Sequence, residues 1–248
     1  MLLTRMYLNP RRRQTVRFMR DPQALHAAVE SAFPPVPLDP GSGSRLLWRL
    51  DADGDERQLL ILSSRTPSLE HLQEQAGWSA EQTWESRSYD QLLSRFARGQ
   101  RYAFRLTANP VHTVTDSSGR KKLLAHVSVK HQTRWLTERA DDLGVRFLTE
   151  GELFPGSGDP ALDQTSAAAA THGGEAASEV AAAILVSCRE TLHFRRGEQR
   201  VTLARARFDG LLEVTDVNRL RDALTRGIGR AKAYGCGLMT LAPPHQAS

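Results

Sequence analysis

The sequence has little of what several classes of protein depend on. Only two of the 248 residues are cysteines, too few for a disulfide framework or a four-cysteine zinc site. No apolar run approaches the roughly 20 residues needed to span a bilayer, and arginines at positions 11–13 interrupt the N-terminal segment before a signal-peptide core could form. We therefore expect a cytoplasmic protein with reduced thiols, and neither a membrane anchor nor a signal peptide.

Motifs for binding phosphate, calcium or zinc are also missing. No Gly-x-x-x-x-Gly-Lys-Ser/Thr segment is present, and the aspartate-rich residues 51–56 place their glycine at loop position four, whereas a calcium loop needs it at position six. The eight histidines lack zinc-site spacing. His126 and His131 are five residues apart on a predicted strand or at its end, which predicts that they point to opposite faces. The sequence thus predicts no metal site and no cofactor.

Charge is distributed unevenly along the chain. The formal net charge is +5, but residues 1–20 carry +6, residues 21–188 carry −6 and residues 189–248 carry +5. Basic clusters favour polyanions, because each neutralised phosphate releases condensed counterions. Arginine outnumbers lysine by 29 to four, however, and genome composition alone can produce such a bias. Charge therefore leaves two interpretations open, a nucleic-acid partner and a solvated basic surface.

The first half of the chain follows the order β-α-β-β-α-β. An apolar segment at residues 1–8 predicts a strand that ends at Asn9-Pro10. Asp21 as N-cap and Pro22 at the first helical position predict the start of a helix. The remaining predicted elements are a hairpin, a short helix and a weak strand, at residues 45–62, 68–76 and 81–87.

The second half repeats that order without repeating the sequence. Its predicted elements are a strand at 101–108, a helix at 132–143, a strand at 145–151, a long hairpin at 180–214, a helix capped by Asp216 and a strand at 238–241. Residues 155–179 are rich in Gly, Ala, Ser and Thr, so we expect a flexible insertion there. Together the two halves predict an α+β fold of tandem ferredoxin-like (RRM-like) domains, at residues 1–97 and 98–248.

His26 is the residue of the first predicted helix with the most chemical potential. It lies beside the apolar stripe of Leu25 and Val29, where a histidine is often structural. An imidazole can also move a proton in RNA cleavage while nearby arginines hold the phosphate, and this chemistry needs no metal. Both interpretations of His26 stay open at this point.

Four segments of the sequence resemble those of one known family. They read LNPRRR at 8–13, DPQALH at 21–26, YAFRLTANP at 102–110 and GIGRAKAYGCGLMTLA at 227–242. In this order they resemble CasE, the CRISPR RNA-processing endoribonuclease subunit of type I-E Cascade. The resemblance covers nearly the whole chain apart from the 155–179 segment.

The resemblance implies a metal-independent endoribonuclease that cuts the repeat stem-loop of precursor CRISPR RNA at the stem base and retains the mature RNA. It implies a 2′,3′-cyclic phosphate and a 5′-hydroxyl as product ends, and the other Cascade subunits as partners. The catalytic histidine of the family's first helix corresponds to His26. Gln23 stands where the family commonly has a tyrosine, and its amide can hydrogen-bond but cannot act as a phenolic acid.

Candidate RNA contacts come from the basic clusters of the chain, and a basic hairpin that grips the RNA stem in the family corresponds to residues 195–200. The candidates are Arg11, Arg12, Arg13, Lys122, Lys130, Arg195, Arg196, Arg200, Arg226, Arg230 and Lys232. The glycines of the last segment allow positive φ angles and a close backbone approach to a ligand. These glycines are Gly227, Gly229, Gly235 and Gly237.

Two alternative functions remain on the sequence alone. The first is a non-catalytic or weakly catalytic RNA-binding scaffold subunit of a ribonucleoprotein, which would keep the basic surface without efficient cleavage. The second is a ferredoxin-like enzyme of small-molecule metabolism, which is disfavoured because no acid or cofactor motif converges.

Overall fold

The structure is a computed structural model and describes residues 1–34, 46–79, 81–153 and 182–244. The insertion predicted at 155–179 lies outside the described residues. Within the described part of the chain, no helix is long and apolar enough to cross a bilayer.

The first unit is a four-stranded antiparallel sheet with three helices. Its elements are β1 (Leu2–Tyr7), α1 (Arg13–Arg20), α2 (Pro22–Glu30), β2 (Leu47–Asp53), β3 (Glu56–Ser63), α3 (Glu70–Ala76) and β4 (Trp84–Ser88). The strand order is β2-β3-β1-β4, and each neighbouring pair is antiparallel. Counted from its own first strand, this is the 4-1-3-2 order of a ferredoxin-like sheet.

Helix α2 begins where the capping residues predict it. The Asp21 carboxylate accepts hydrogen bonds from the backbone N–H groups of Gln23 and Ala24, at 3.1 and 3.2 Å, and Pro22 occupies the first turn. Leu25 and Val29 are buried on the helix face that meets the core. Helix α1, which the sequence patterns did not predict, buries only Thr15 and Phe18.

The second unit has the same topology with additions. Its elements are α4 (Asp90–Leu93), β5 (Arg101–Ala108), β6 (Val111–Thr115), β7 (Lys121–Ala125), α5 (Val129–Thr137), α6 (Ala140–Leu143), β8 (Val145–Phe147), α7 (Glu150–Leu153), β9 (Ile184–Arg196), β10 (Gln199–Val214), α8 (Val217–Arg226), a 3₁₀ turn (Lys232–Tyr234) and β11 (Met239–Ala242). The sheet order is β11-β5-β10-β8, which is again 4-1-3-2, and β9 pairs with β10. The predicted tandem ferredoxin-like fold is therefore confirmed.

Further local differences from the sequence prediction lie in the second unit. The helix predicted at 132–143 is two helices, and Gly144, at φ +67°, ends the second of them. The strand predicted at 145–151 ends at Phe147. The small β6–β7 sheet was not predicted, because its residues are largely exposed and give no apolar alternation.

Buried side chains join the two units. One apolar cluster lies between the first sheet and its helices, whereas a larger cluster contains Leu47 and Leu62 of the first sheet together with Phe208 and Leu220 of the second unit. Because the units share a core, the division at residues 97 and 98 stays a prediction.

Arg49 forms a polar link across the same junction. It is 2% exposed and forms a bidentate pair with Asp51, with both N···O distances 2.8 Å. Its remaining N–H groups donate, each at 2.8 Å, to second-unit oxygens: the carbonyls of Arg105 and Leu238 and the Thr240 hydroxyl. A buried guanidinium with this many partners fixes the relative position of β2, β5 and β11.

Candidate active site

His26 lies on α2 with 24% of its side chain exposed. Its Nδ1 atom is buried and has no hydrogen-bond partner among the described residues. Its Nε2 atom is 3.7 Å from a carboxylate oxygen of Glu30, one helical turn later. Since Nδ1 is buried, Nε2 is the ring nitrogen that can meet a substrate. The Oε1 atom of Gln23, on the preceding turn, is also buried without a described partner.

The glycine-rich segment approaches His26 from the second unit. The Tyr234 ring in the 3₁₀ turn meets the His26 ring edge-on, with centroids 6.2 Å apart and an interplanar angle of 75°. The same tyrosine packs against Phe194 of β9, with centroids 4.8 Å apart at 66°. Helix α2, the glycine-rich segment and the β9–β10 hairpin are thus brought together, although they lie far apart in the sequence.

The four glycines of this segment all have φ between +74° and +92°. A Cβ atom at Gly235 would lie 2.5 Å from the Trp48 ring, and one at Gly227 would lie 2.8 Å from Leu47. At Gly229 the nearest atom would belong to Trp135, at 3.0 Å, and at Gly237 it would be the Ile228 carbonyl oxygen, at 2.7 Å. The close approaches that these glycines permit are therefore contacts within the protein. Their predicted approach to a ligand stays a prediction.

The β9–β10 hairpin ends in exposed arginines. Arg195 and Arg200 face each other across the ladder, Arg196 pairs in register with Gln199, and Gly197 at φ +58° makes the turn. The three arginine side chains have no hydrogen bond or ion pair to any described residue. Phe194, directly before Arg195, is 7% exposed and packs with Leu203 and Cys236. The hairpin thus has a buried base and a charged, unpartnered tip.

Helix α1 carries a basic face that the list of sequence candidates only partly included. Arg13, Arg17 and Arg20 recur at spacings of four and three, so they lie on one side of the helix, and all three are exposed. Arg11 is exposed as well, whereas Arg12 donates to the carbonyl of Glu74 on α3 at 3.3 Å. The helical spacing of Arg17 and Arg20 was the signal that could have added them.

The other basic candidates lie in different surroundings. Lys122 and Lys130 are exposed on β7 and α5, which are not the elements that touch His26. Arg226 lies 3.8 Å from Asp222, and Lys232 donates to the backbone carbonyl of Arg226 at 2.7 Å. Arg230 is exposed at the edge of the glycine-rich segment.

Three histidine rings form a row on the β6–β7 sheet and the start of α5. The rings of His112 and His126 have centroids 4.4 Å apart, and those of His126 and His131 are 6.0 Å apart. The expectation that His126 and His131 point to opposite faces is therefore wrong, because β7 ends at Ala125 and the chain turns into α5. Within the described ranges, no group of three His, Cys, Asp or Glu side chains is arranged to hold a metal ion.

Cys236 lies directly behind the site, in contact with Phe194. It is fully buried, and burial raises the pKa of its thiol to about 12. The thiol therefore stays protonated at neutral pH and is not a nucleophile.

The model of the CRISPR-associated protein family matches residues 1–243. The chain belongs to this family. A curated family relative, the CRISPR-associated endoribonuclease Cse3 of Thermus thermophilus, is 29% identical over 245 residues, which cover 98% of this chain and 100% of the relative. The family that the four sequence segments indicate is thereby confirmed.

Solved structures resemble the whole chain. Thermus thermophilus Cse3 bound to an RNA that represents a pre-cleavage complex has a TM-score of 0.70 and 26% identity, and the match covers 98% of each chain. A chain of a CRISPR RNA-guided surveillance complex in a pre-nicking state has a TM-score of 0.59 and 22% identity, covering 98% of this chain and 99% of that one. Because its identity to this chain is only 22%, the similarity to the surveillance-complex chain shows a shared fold alone.

Proposed function

We propose that this chain is an endoribonuclease that cuts the repeat stem-loop of precursor CRISPR RNA at the base of the stem and retains the mature RNA. We also propose that it works in the cytoplasm with the other subunits of type I-E Cascade. Membership of the family and the similarity to a relative named as an endoribonuclease support this function. The observation that carries it is that His26 contacts Tyr234 of the glycine-rich segment, and that Tyr234 in turn contacts Phe194 at the base of the basic hairpin.

The proposed reaction is an internal transesterification. The 2′-hydroxyl oxygen attacks the adjacent phosphorus, and the bond from phosphorus to the 5′-oxygen breaks. One proton leaves the 2′-hydroxyl and one joins the departing 5′-oxygen, which leaves a 2′,3′-cyclic phosphate and a 5′-hydroxyl. These steps consist of proton transfer and substitution at phosphorus, so a metal ion or other cofactor is not required.

His26 would exchange one of these protons through Nε2. A histidine changes its charge near neutral pH, so its ring can accept or donate a proton under cellular conditions. Because Glu30 lies within 3.7 Å of Nε2, the carboxylate can pair with the imidazolium form of the ring. His26 is therefore the residue whose removal should affect the chemical step most.

The unpartnered arginines would bind the RNA backbone. A stem of A-form RNA is recognised mainly through its shape, phosphates and 2′-hydroxyl groups, which suits a protruding hairpin that carries Arg195, Arg196 and Arg200. The α1 residues Arg13 and Arg17 add a second basic surface on the element before the catalytic helix. The other sequence candidates also remain proposed contacts; they are Arg11, Arg12, Arg226, Arg230, Lys232 and the two lysines on β7 and α5.

The deciding experiment is single-turnover cleavage of the cognate repeat stem-loop in EDTA, followed by mapping of both ends. We expect cleavage to persist, to yield the two ends named above and to be blocked by a 2′-deoxy substitution at the cut nucleotide. His26→Ala should slow it by at least ~10²-fold, the usual contribution of a general acid or base, while RNA affinity stays within about threefold. His112→Ala, which removes an exposed histidine on a different sheet, is the matched control and should cleave at the parent rate.

Three results would contradict the mechanism: cleavage that stops in EDTA and returns with a divalent ion, cleavage of the 2′-deoxy substrate, or an undiminished rate in the His26 variant. Tight binding of the repeat without any cleavage would favour the non-catalytic scaffold. The buried Oε1 atom of Gln23, which has no described partner and stands where the family commonly has a phenol, is the observation that keeps this second function in view.

A further inference from the structure

The imidazole of His26 is held by few polar contacts. In the described structure its Nδ1 has no hydrogen-bond partner, and the 3.7 Å separation between Nε2 and Glu30 is longer than a hydrogen bond. A catalytic histidine usually has its ring orientation fixed by a hydrogen bond to the nitrogen that does not react. Another contact must therefore restrict the ring.

The Tyr234 ring provides that contact. It meets the His26 ring edge-on at 6.2 Å and 75°, within the range at which aromatic pairs attract each other. Among the described residues, Tyr234 is the one whose aromatic ring contacts the His26 ring. It comes from the opposite unit of the protein, 208 positions later in the sequence.

Tyr234 can orient another ring because its own position is fixed on two sides. On one side its ring packs edge-on against Phe194, whose side chain is 7% exposed. On the other side its backbone N–H donates to the carbonyl of Ala231 at 2.9 Å, and the next residue, Gly235, lies so close to Trp48 that no Cβ atom fits. The tyrosine is thus attached both to the base of the basic hairpin and to the core beneath α2.

We propose that Tyr234 is a positioning residue for the catalytic step: its aromatic ring holds the His26 imidazole in its reactive orientation and connects that orientation to the stem-binding hairpin through Phe194. This inference rests on the proposed endoribonuclease function. The ring, rather than the hydroxyl group, is the part that acts, since the observed contact is between ring edges and faces.

The test compares Tyr234→Leu with Tyr234→Phe in the full-length protein. Leucine removes the ring, and we expect single-turnover cleavage at saturating protein to fall by ~10 to 10²-fold, the loss typical of a misplaced catalytic group, with RNA affinity within about threefold of the parent. Phenylalanine keeps the ring and should restore the rate to within about twofold. Tyr102→Leu is the matched control, since Tyr102 makes a similar edge-on contact with Phe96 at 5.3 Å in the second unit, and it should cleave at the parent rate.

A second readout does not depend on cleavage. In protein labelled with ¹⁵N-histidine, the His26 ring signals are identified by their loss in His26→Asn. They should move in Tyr234→Leu, because the ring current and the ring orientation both change, and stay near the parent position in Tyr102→Leu. If the parent protein does not cut RNA, the proposed function fails, and unchanged His26 signals in Tyr234→Leu would still overturn the inference about Tyr234 independently.

Each of the following results would overturn the inference. Tyr234→Leu could cleave at the parent rate, the His26 signals could be unchanged in that variant, or Tyr234→Phe could be as slow as Tyr234→Leu. The last result would assign the role to the hydroxyl group instead of the ring.

Discussion

Two groups of arginines in this chain have the same side chain and opposite surroundings. At the junction of the two units, Arg49, Arg105 and Arg207 are each paired with aspartates, and Arg49 is nearly inaccessible to solvent. At the hairpin tip, Arg195, Arg196 and Arg200 are exposed and pair with no described group. The first group has its charge neutralised within the fold, whereas the second presents its charge to solvent.

The difference shows that the number of arginines is a poor guide to nucleic-acid binding. Burial acts to lower the pKa of Arg105, but hydrogen bonds with Asp209 and Asp53 more than offset this and raise it, so the side chain stays charged and committed to its partners. An arginine with no acidic partner can give all its donors to a phosphate. We therefore expect the junction arginines to determine stability and the tip arginines to determine RNA affinity.

The largest expected effect concerns Arg49. Arg49→Leu leaves the buried Asp51 carboxylate and two carbonyls without their donor, so we expect the free energy of unfolding to fall by ~3–5 kcal/mol. Urea denaturation followed by circular dichroism measures this change. Arg87→Ala is the matched control, because the Arg87 side chain is 79% exposed and its ion pair in the described structure is with Glu85, and it should change stability by less than about 0.5 kcal/mol.

A loss below about 1 kcal/mol for Arg49→Leu would show that the units do not depend on this link. The junction arginines and the tip arginines would then not differ in their effect on stability.

The next effect concerns the tip. Replacing Arg195, Arg196 and Arg200 by alanine should weaken binding of the repeat stem-loop and lower the slope of log K against log salt by roughly two to three units, if each arginine neutralises one phosphate. Stability should change by less than about 0.5 kcal/mol, since the side chains are exposed. Binding across a series of salt concentrations gives the slope.

The matched control removes the same charge elsewhere. Arg87, Arg101 and Arg134 are exposed and each is paired with a glutamate, so their triple alanine variant should keep the parent slope. Equal losses in both triple variants would mean that the protein binds RNA through overall charge, and the distinction between the two groups would fail.

The smallest effect is a dependence of stability on pH. Burial acts to raise the pKa of Asp53, but hydrogen bonds from Arg207 and Arg105 lower it below its ordinary value of 3.8. A carboxylate with a lowered pKa in the folded state stabilises the protein above that ordinary value, and the contribution is lost as the pH falls towards the folded-state pKa. Asp53→Asn should therefore flatten the fall in stability below about pH 4.

The effect is small because half of the Asp53 side chain is exposed. Asp55→Asn, in the adjacent turn, removes an exposed aspartate that has no ion pair in the described structure, and it should leave the acid profile unchanged. Identical profiles for Asp53→Asn and the parent would show that the junction pairs do not contribute to acid stability.

Local chemistry made much of the fold predictable from the sequence. Asp21 with Pro22, and Asp216 in the second unit, begin helices where capping predicts, because their carboxylates accept the free N–H groups of the first turn. Helix α1 escaped prediction because five of its eight residues are arginine, glutamine or threonine and its buried face is narrow. The break between α5 and α6 carries no glycine or proline to signal it.

The candidate site was predictable in its parts and not in its assembly. His26 and the glycine-rich segment were identified from motifs, and the hairpin arginines from their charge and the family resemblance. The contact between His26 and Tyr234 joins residues from different units, and no local pattern encodes such a distance. The burial of Arg49 could not be predicted for the same reason, since its sequence neighbours read as an ordinary strand.

The link made by Arg49 has a consequence for how the protein folds during synthesis. Its acceptor in β5 lies 56 residues later in the chain, and its acceptors at Leu238, directly before β11, and at Thr240 of β11 lie 189 and 191 residues later. The first sheet can form as soon as β4 has left the ribosome, but two hydrogen bonds of the buried Arg49 guanidinium have no partners until the segment around β11 is made. Until then Arg49 stays hydrated. The junction surface of the first unit is excluded from solvent only when β11 docks against it. The end of the chain thereby completes an element near its beginning, so a truncated chain that lacks β11 would expose the junction even though its first sheet is complete.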